Sequence, residues 1–287
     1  RIFHGHTEGC PGLDIDRFGR VAVIWTDHPD AETEIVRDTL LRLDGFDTIV
    51  VKPSRRRREI TADSEAGCLR PDTPPEQTRF EVLEYGLRFH VEPFVGQNCG
   101  LFLDARPARQ WIRENSTGRR VLNLFSYTGS LGVAAAAGGA ASVTHVDGKH
   151  NALERARANH DLNDLPVDDR SLFRGNIYTH VPRAVSSGQR FDAVILDPPP
   201  TLPRIKGHKP QGQDYSTLAR FATELLDEGG WVLCFFSRFD RSRQEYEDQV
   251  TTASAGRLQP LWRGTSGDDF PEQNPEAKLR LTAFFKQ

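Results

Sequence analysis

The sequence predicts an α/β fold: a mostly parallel sheet covered by helices on both faces, preceded by a small α/β domain. Two observations carry this. From about residue 94 onward, short apolar runs alternate regularly with helix-periodic stretches, the pattern of a parallel sheet buried on both faces. Residues 1–93 have a different texture, with short strand-like runs around one helix. The expected division is therefore 1–93 and 94–287.

In the first part, residues 21–25 follow the turn signal Arg17 to Arg20 and read as a strand. Residues 31–43 place Ile35, Leu40, Leu41 and Leu43 on roughly one helical stripe, with Asp30 as N-cap. Residues 48–51 read as a strand, and 80–92 as a hairpin bending at Tyr85 and Gly86. In the second part, strands are expected at 121–125, 142–147, 172–174, 193–196, 231–236 and 279–285. Helices are expected between them at 131–137, 151–163, 178–186, 215–226 and 241–255. No helical stretch precedes the last run, only the Gly- and Pro-rich residues 264–275, so that strand should enter antiparallel.

Bulk properties bound the function. The 287 residues suffice for one large and one small domain, and 37% hydrophobic with 27% charged residues is ordinary for a soluble globular protein. No run approaches the roughly 18–20 apolar residues of a membrane span. There is no signal-peptide pattern, although the chain begins at Arg1 and contains no methionine, which leaves a preceding segment open. Cys10, Cys68, Cys99 and Cys234 are scattered without metal-site spacing, so buried thiols in a reducing, cytoplasmic setting are expected and no metal. A net charge of −3 argues against a wholesale grip on nucleic acid, yet Arg55, Arg56, Arg57 and Arg58 form a dense basic run. That run is either an RNA-binding patch or a solvated loop.

Ligands of open α/β sheets bind beyond the carboxyl ends of the strands, so the residues after each strand matter most. After the first come Phe125, Ser126, Tyr127, Thr128 and Gly129, a tight turn into a helix whose amides can meet an anion. The alternative is a plain helix start capped by Thr128 or Ser130. The full glycine fingerprint of dinucleotide enzymes is missing. After the second sits Asp147, 22 residues past Phe125, near the separation of about 20 expected for a ribose-binding acid. It could also cap the following helix. After the third, Gly175 and Asn176 offer an amide oxygen to an adenine amine, or a simple turn. After the fourth, Asp197 precedes Pro198, Pro199 and Pro200, a stiff rim with one acid at its mouth that suits a site holding a flat substrate.

These residues resemble the ribosomal RNA methyltransferases of the large-subunit cytosine/guanine type. The likeness runs through residues 8–19, 96–106, 124–129, 146–147, 196–199 and 268–272. It implies a class I, Rossmann-like methyltransferase domain with a mostly parallel seven-stranded sheet, and S-adenosyl-L-methionine as cofactor. By the same resemblance, Phe125, Ser126 and Gly129 surround the methionine part of the cofactor, Asp147 holds the ribose and Asn176 meets the adenine. Asn123, Tyr127, Thr128 and Gly148 fall in the same cofactor motifs. Gln97, Phe102 and Arg106 would close the pocket, and Asp197, Pro198 and Pro199 would face the reacting centre.

Three departures qualify the resemblance. The family more often has Asp where Asn176 stands. Cytosine-carbon-5 members use a cysteine nucleophile near the end of the fifth strand, where this chain has Ser237, with Cys234 three residues earlier. A serine without a base is a poor nucleophile, which favours a nitrogen acceptor over carbon 5. No PUA domain is evident, so RNA would be gripped by the small domain and the arginine run, or the substrate differs. The expected function is methyl transfer to a base of RNA, ribosomal by resemblance, by a monomer or homodimer. The alternatives are a methyltransferase of a protein or small molecule, a nicotinamide-dependent dehydrogenase, and a non-catalytic RNA-binding protein.

Overall fold

The structure, a computed structural model, describes residues 1–28, 30–54, 78–165, 167–200, 215–272, 274 and 278–287. It forms two compact units: Arg1–Leu103 with Gly267–Gln273, and Asp104–Ser266 with Asn274–Gln287.

The first unit is built on a four-stranded sheet in the order β1-β2-β3-β4 (Phe3–His4, Leu13–Phe18, Val21–Thr26, Thr48–Pro53). β2 and β3 form a hairpin turning at Gly19, whose φ of +62° suits a residue without Cβ. Helix α1 (Asp30–Arg42) returns the chain so that β4 lies parallel to β3. Its core side is narrower than the sequence suggests. Thr33, Val36 and Leu40, spaced i, i+3, i+7, face the sheet, whereas Ile35, Leu41 and Leu43 point to solvent. The hairpin β5–β6 (Phe80–Glu84, Leu87–Val91) turns at Tyr85 and Gly86, both with positive φ, the twist a two-residue hairpin turn needs.

The unit boundary falls after Leu103, beyond the 93/94 division expected from the change of strand–helix pattern. Residues past 93 fold back on the first unit: Glu92 N donates to Cys99 O at 2.8 Å, and Lys52 Nζ donates to Gly96 O at 2.7 Å. The remote segment 267–273 joins the same unit, with the Arg1 guanidinium 4.7 Å over the Phe270 ring and His4 Nε2 3.2 Å from Glu272.

The second unit is a seven-stranded sheet in the order β12-β13-β11-β10-β7-β8-β9. In chain order these are β7 (Arg120–Leu124), β8 (Ser142–Asp147), β9 (Leu172–Arg174), β10 (Phe191–Leu196), β11 (Leu226–Phe236), β12 (Leu258–Thr265) and β13 (Arg280–Lys286). The pairs β7 to β11 are parallel, and β13 runs antiparallel to both β11 and β12. Helices α3 (Ser130–Ala137), α4 (His150–Asp161), α5 (Ile177–Ser186), α6 (Tyr215–Leu225) and α7 (Arg243–Ala253) connect the strands, and α2 (Arg106–Glu114) precedes β7.

Two elements are hidden in the sequence. α2 carries one short stripe, Ala108, Trp111 and Ile112, within a charged segment. Its Trp111 packs edge-on to Trp231 and stacked on Trp262, at 4.9 and 5.3 Å. β12 contains Pro260 and Gly264 and is shifted in register between Pro260 and Trp262, tolerable because it is the edge strand. A core of Leu122, Leu124, Val194, Leu196, Val232, Phe236, Leu218, Ala222 and Val250 seats α6 and α7 on one face of the sheet. The chain runs outward from β7 to β9, then crosses to β10 on the other side of β7. The crevice where direction reverses is therefore at the carboxyl ends of β7 and β10, where ligands bind in such sheets. Among the described residues no helix is long and apolar enough to cross a membrane.

Candidate cofactor and acceptor site

The loop leaving β7 is wound tightly. Phe125 and Tyr127 have φ of 59° and 48°, and Gly129 has 76°. Two non-glycine residues in the left-handed region cost about 1–3 kcal/mol each, a strain concentrated at functional loops. The loop is held from both sides. Ser126 N donates to Val146 O at 3.1 Å and Tyr127 N to Asp147 Oδ2 at 2.9 Å, while Asn159 Nδ2 of α4 donates to Thr128 O at 2.8 Å.

Gly129 is the N-cap of α3, and no side chain caps the helix, so neither Thr128 nor Ser130 takes the capping role. Among the described residues the first-turn amides stay open beside the buried Ser126 hydroxyl, whose Oγ has no hydrogen-bond partner there. Glycine is required here for space as well as for φ. A Cβ at Gly129 would lie 2.6 Å from Ala156 Cβ, and one at Gly132 would lie 2.3 Å from His145 Cε1.

Beneath the loop lies a buried polar chain that no sequence motif announces. His160 Nδ1 meets Leu165 O at 2.8 Å, so that nitrogen carries the proton; His160 Nε2 then accepts from His145 Nε2 at 3.0 Å. His145 Nδ1 is left to accept from Asn123 Nδ2 at 3.4 Å, and Asn123 Oδ1 is buried without a partner among the described residues. Burial, then the neighbouring His160, pushes His145 down to about 3, so it stays neutral.

Asp147 ends β8, half-buried. Its Oδ2 takes Tyr127 N and its Oδ1 takes Lys149 N at 2.9 Å, tying the loops after β7 and β8 together. A carboxylate accepts about four bonds, which leaves capacity for two hydroxyls. Gly148 beside it is exposed, and among the described residues nothing lies within 4 Å of where a Cβ would stand. Asn176 follows β9 as the N-cap of α5, and its Oδ1 accepts from Tyr178 N at 2.9 Å. The sequence reading offered that oxygen to an adenine amine. The cap takes one lone pair of that oxygen and leaves the second for such a bond, on an exposed side chain.

Asp197 follows Leu196, which pairs with Leu124 across β10 and β7, so Asp197 stands beside Phe125. Burial first, then Asp104 in the turn before α2, raises its carboxyl to about 7, with the buried Arg109 of α2 opposing. Pro198 is buried, while Pro199 and Pro200 are exposed. On the next strand Cys234 pairs with Leu196, fully buried, and burial pushes its thiol far above the ordinary range. Ser237, past the end of β11, is half-buried.

Of the remaining expected residues, Arg106 opens α2 in the second unit, whereas the exposed Gln97 and half-buried Phe102 belong to the first. Arg55, Arg56, Arg57 and Arg58 lie outside the described residues. Sequence reasoning missed His145, His160, Asn159, Asp104 and Arg109. Each acts through a contact between elements far apart in the chain.

The donor set fits a nucleoside sulfonium cofactor: open helix amides and the orphaned Ser126 hydroxyl for a carboxylate, and Asp147 for a diol. This strand order with one antiparallel strand, and these stations on it, define the class I S-adenosylmethionine-dependent methyltransferases. Residues 2–285 match the family model described as S-adenosylmethionine-dependent methyltransferase, and the chain belongs to that family.

Among curated relatives, it is 32% identical over 238 residues to the ribosomal RNA large subunit methyltransferase I of Erwinia tasmaniensis, covering 82% of this chain and 60% of that protein. It is 31% identical over 299 residues to a ribosomal RNA large subunit methyltransferase of Deinococcus radiodurans, covering 100% of this chain and 72% of the relative. The chain thus spans about 60% of the length of the first of these relatives. In fold it resembles SMU.776 complexed with S-adenosylhomocysteine (TM-score 0.84, 24% identical, 98% of this chain and 73% of that one). It also resembles aTrm5 in its complex with tRNALeu (TM-score 0.64, 16% identical, 98% and 74% covered).

Proposed function

We propose that this chain transfers the methyl group of S-adenosyl-L-methionine to a nitrogen of a base in ribosomal RNA, in the cytoplasm. The observation that carries the chemistry is Asp197, an acid poised near neutrality beside a strand whose cysteine is sealed in the core. The RNA reading draws support from the relatives, which are named as ribosomal RNA large subunit methyltransferases.

The cofactor, when bound, supplies an electrophilic methyl on a sulfonium. Ser126 and the open amides of α3 would hold its carboxylate, with Asn123, Phe125, Tyr127, Thr128 and Gly129 shaping that end. Asp147 would accept from both ribose hydroxyls beside Gly148, and the exposed Asn176 amide would meet the adenine, its oxygen accepting from the amine. Pro198 and Pro199 would form the rim against a flat base. Asp197 would accept a hydrogen bond from the acceptor N–H and take its proton as the nitrogen lone pair forms the new N–C bond; the methyl–sulfur bond would break in the same step, its electron pair going to sulfur to leave the thioether S-adenosylhomocysteine. Carbon-5 chemistry would instead need a thiolate, and the only β11 cysteine is buried with its thiol pushed up.

The test is transfer of an isotopically labelled methyl group to large-subunit ribosomal RNA, followed by digestion and mass spectrometry of the nucleosides. An N-methylated nucleoside is expected. Labelled 5-methylcytidine would overturn the nitrogen assignment, and label absent from RNA would overturn the substrate class.

A further inference from the structure

The loop joining β11 to α7, residues 237–242, carries a feature that the cofactor and proton chemistry leave unused. It contains Phe239, 59% exposed, between Arg238 and the exposed Arg241. A singly exposed aromatic is ordinary on a protein surface. Its footing here is not ordinary, and neither is its place in the sheet.

The place follows from register. Cys234 pairs with Leu196, so β11 emerges on the rung beside Asp197 and the loop starts two residues further on. Adjacent strands lie about 4.8 Å apart, which puts the loop at the rim of the proposed acceptor site.

The footing is a buried cation. Arg280 opens β13 opposite Phe236 and is 1% exposed. Its guanidinium donates to the backbone carbonyls of Arg238 and Arg241, gripping the loop on both sides of Phe239. The same guanidinium lies 5.6 Å from the Tyr246 ring, which stacks on Phe236 at 4.6 Å and 5°. At the far end Ser242 and Glu245 form a reciprocal capping box that fixes the start of α7. Arg238 is turned aside onto Asp240, with Nε 3.1 Å from Oδ1. Arg241 stays on the surface, one terminal nitrogen 3.3 Å from Gln249 Oε1.

A fully desolvated arginine spent on two loop carbonyls fixes a surface turn that would otherwise sample many shapes. A fixed, exposed aromatic beside an accessible guanidinium is the arrangement that binds an unstacked nucleobase and its phosphate. We propose that Phe239 and Arg241 form a nucleotide subsite for the RNA substrate: Phe239 stacks on a base adjoining the methylated one, and Arg241 engages a backbone phosphate. This rests on the reading of the substrate as RNA.

The experiment uses the full chain and in vitro transcribed large-subunit ribosomal RNA. Phe239→Ala should raise KM for the RNA about 5- to 150-fold, the range that loss of one stacked base produces. Phe239→Trp should retain the low KM and Phe239→Leu should not, because stacking needs a π face. Arg241→Gln should weaken RNA binding and lower the slope of log K against log salt by about one. Affinity for S-adenosylhomocysteine should be unchanged in all four variants, which shows that each is folded with its cofactor site intact.

Wild-type methyl transfer with an unchanged KM in Phe239→Ala would overturn the subsite alone. Retention of low KM by Phe239→Leu would overturn stacking in favour of plain apolar contact, and with it the proposal. No transfer to RNA by the wild type would overturn the substrate reading and the subsite together, a distinct outcome.

Discussion

Asp147 at the end of β8 and Asp197 at the end of β10 occupy matching rungs on either side of β7, yet their surroundings differ in kind. Asp147 receives a backbone N–H on each oxygen, so its carboxylate is fixed in place and joins two loops. Asp197 follows the buried run Ala193–Leu196, and burial first, then the negative Asp104, raises its carboxyl to about 7. In the proposed reading one acid holds hydroxyls and the other exchanges a proton. The difference teaches that the sheet divides its labour at β7, with fixed hydrogen bonds on the β8 side and a titrating group on the β10 side. The aromatic subsite on the β11 loop extends the second half.

The largest break in that comparison is expected from Asp197→Asn. The amide cannot take a proton, so methyl transfer should fall about 10²- to 10⁴-fold while S-adenosylhomocysteine still binds. In the wild type the rate should climb with pH through about 7 as Asp197 ionises. Asp104→Asn removes a charge that raises this pKa, so the rising limb should move to lower pH. A limb that stays put would leave Asp104 without a tuning role. Stability runs the other way. Because the folded pKa lies above the ordinary 3.8, the native state binds the proton more tightly, and stability falls as pH rises from about 4 to about 7. Above pH 7, Asp197→Asn should therefore raise the melting temperature even as it slows transfer, the gain in stability being on the order of a few kcal/mol at most.

Asp147→Ala should come next. It removes the acceptor for Tyr127 N and Lys149 N together with the proposed ribose contact. Each hydrogen bond to a charged group is worth about 1.5–3 kcal/mol, so affinity for S-adenosylhomocysteine should drop at least about 10-fold. Calorimetry or a lost thermal shift would read this. Undiminished binding would mean that the carboxylate only organises the loops, and the contrast with Asp197 would shrink to structure against chemistry.

How much of this was legible follows from the range of each interaction. Gly129, Asp147, Asn176 and Asp197 each follow an apolar run, and a parallel sheet brings such ends to one side whatever the details of packing. The strand–helix alternation was legible for the same reason, since burial on both faces leaves continuous apolar runs. What failed was local pattern overruled by neighbours. α2 is too charged to show its stripe, β12 contains a proline that only an edge position tolerates, and the apolar face of α1 turned out to be Thr33, Val36 and Leu40. The His145–His160 pair, Asp104 near Asp197, and Arg280 beneath Phe239 join residues 15, 93 and 41 positions apart. No periodicity encodes such pairs, because each depends on how two elements dock.

The smallest expected effect on activity sharpens the comparison from the β11 side. Cys234 pairs with Leu196 on one neighbour and Thr282 on the other, with no exposed surface, and its thiol is held protonated by burial. A covalent route through it would require the strand to open and a thiolate to form where charge is most costly. Cys234→Ala should leave the rate of methyl transfer unchanged within about twofold and cost stability through the space left behind, about 1–2 kcal/mol by analogy with other small truncations in packed cores. Ser237→Ala should likewise leave the chemical step intact, because a serine hydroxyl is a far weaker nucleophile than a thiolate and a nitrogen acceptor needs no covalent help. Single-turnover kinetics on the two variants would separate chemistry from RNA binding. A loss of about 10²-fold in the chemical step for Cys234→Ala, with cofactor affinity preserved, would move the reaction from a proton exchanged at Asp197 to a bond made on β11.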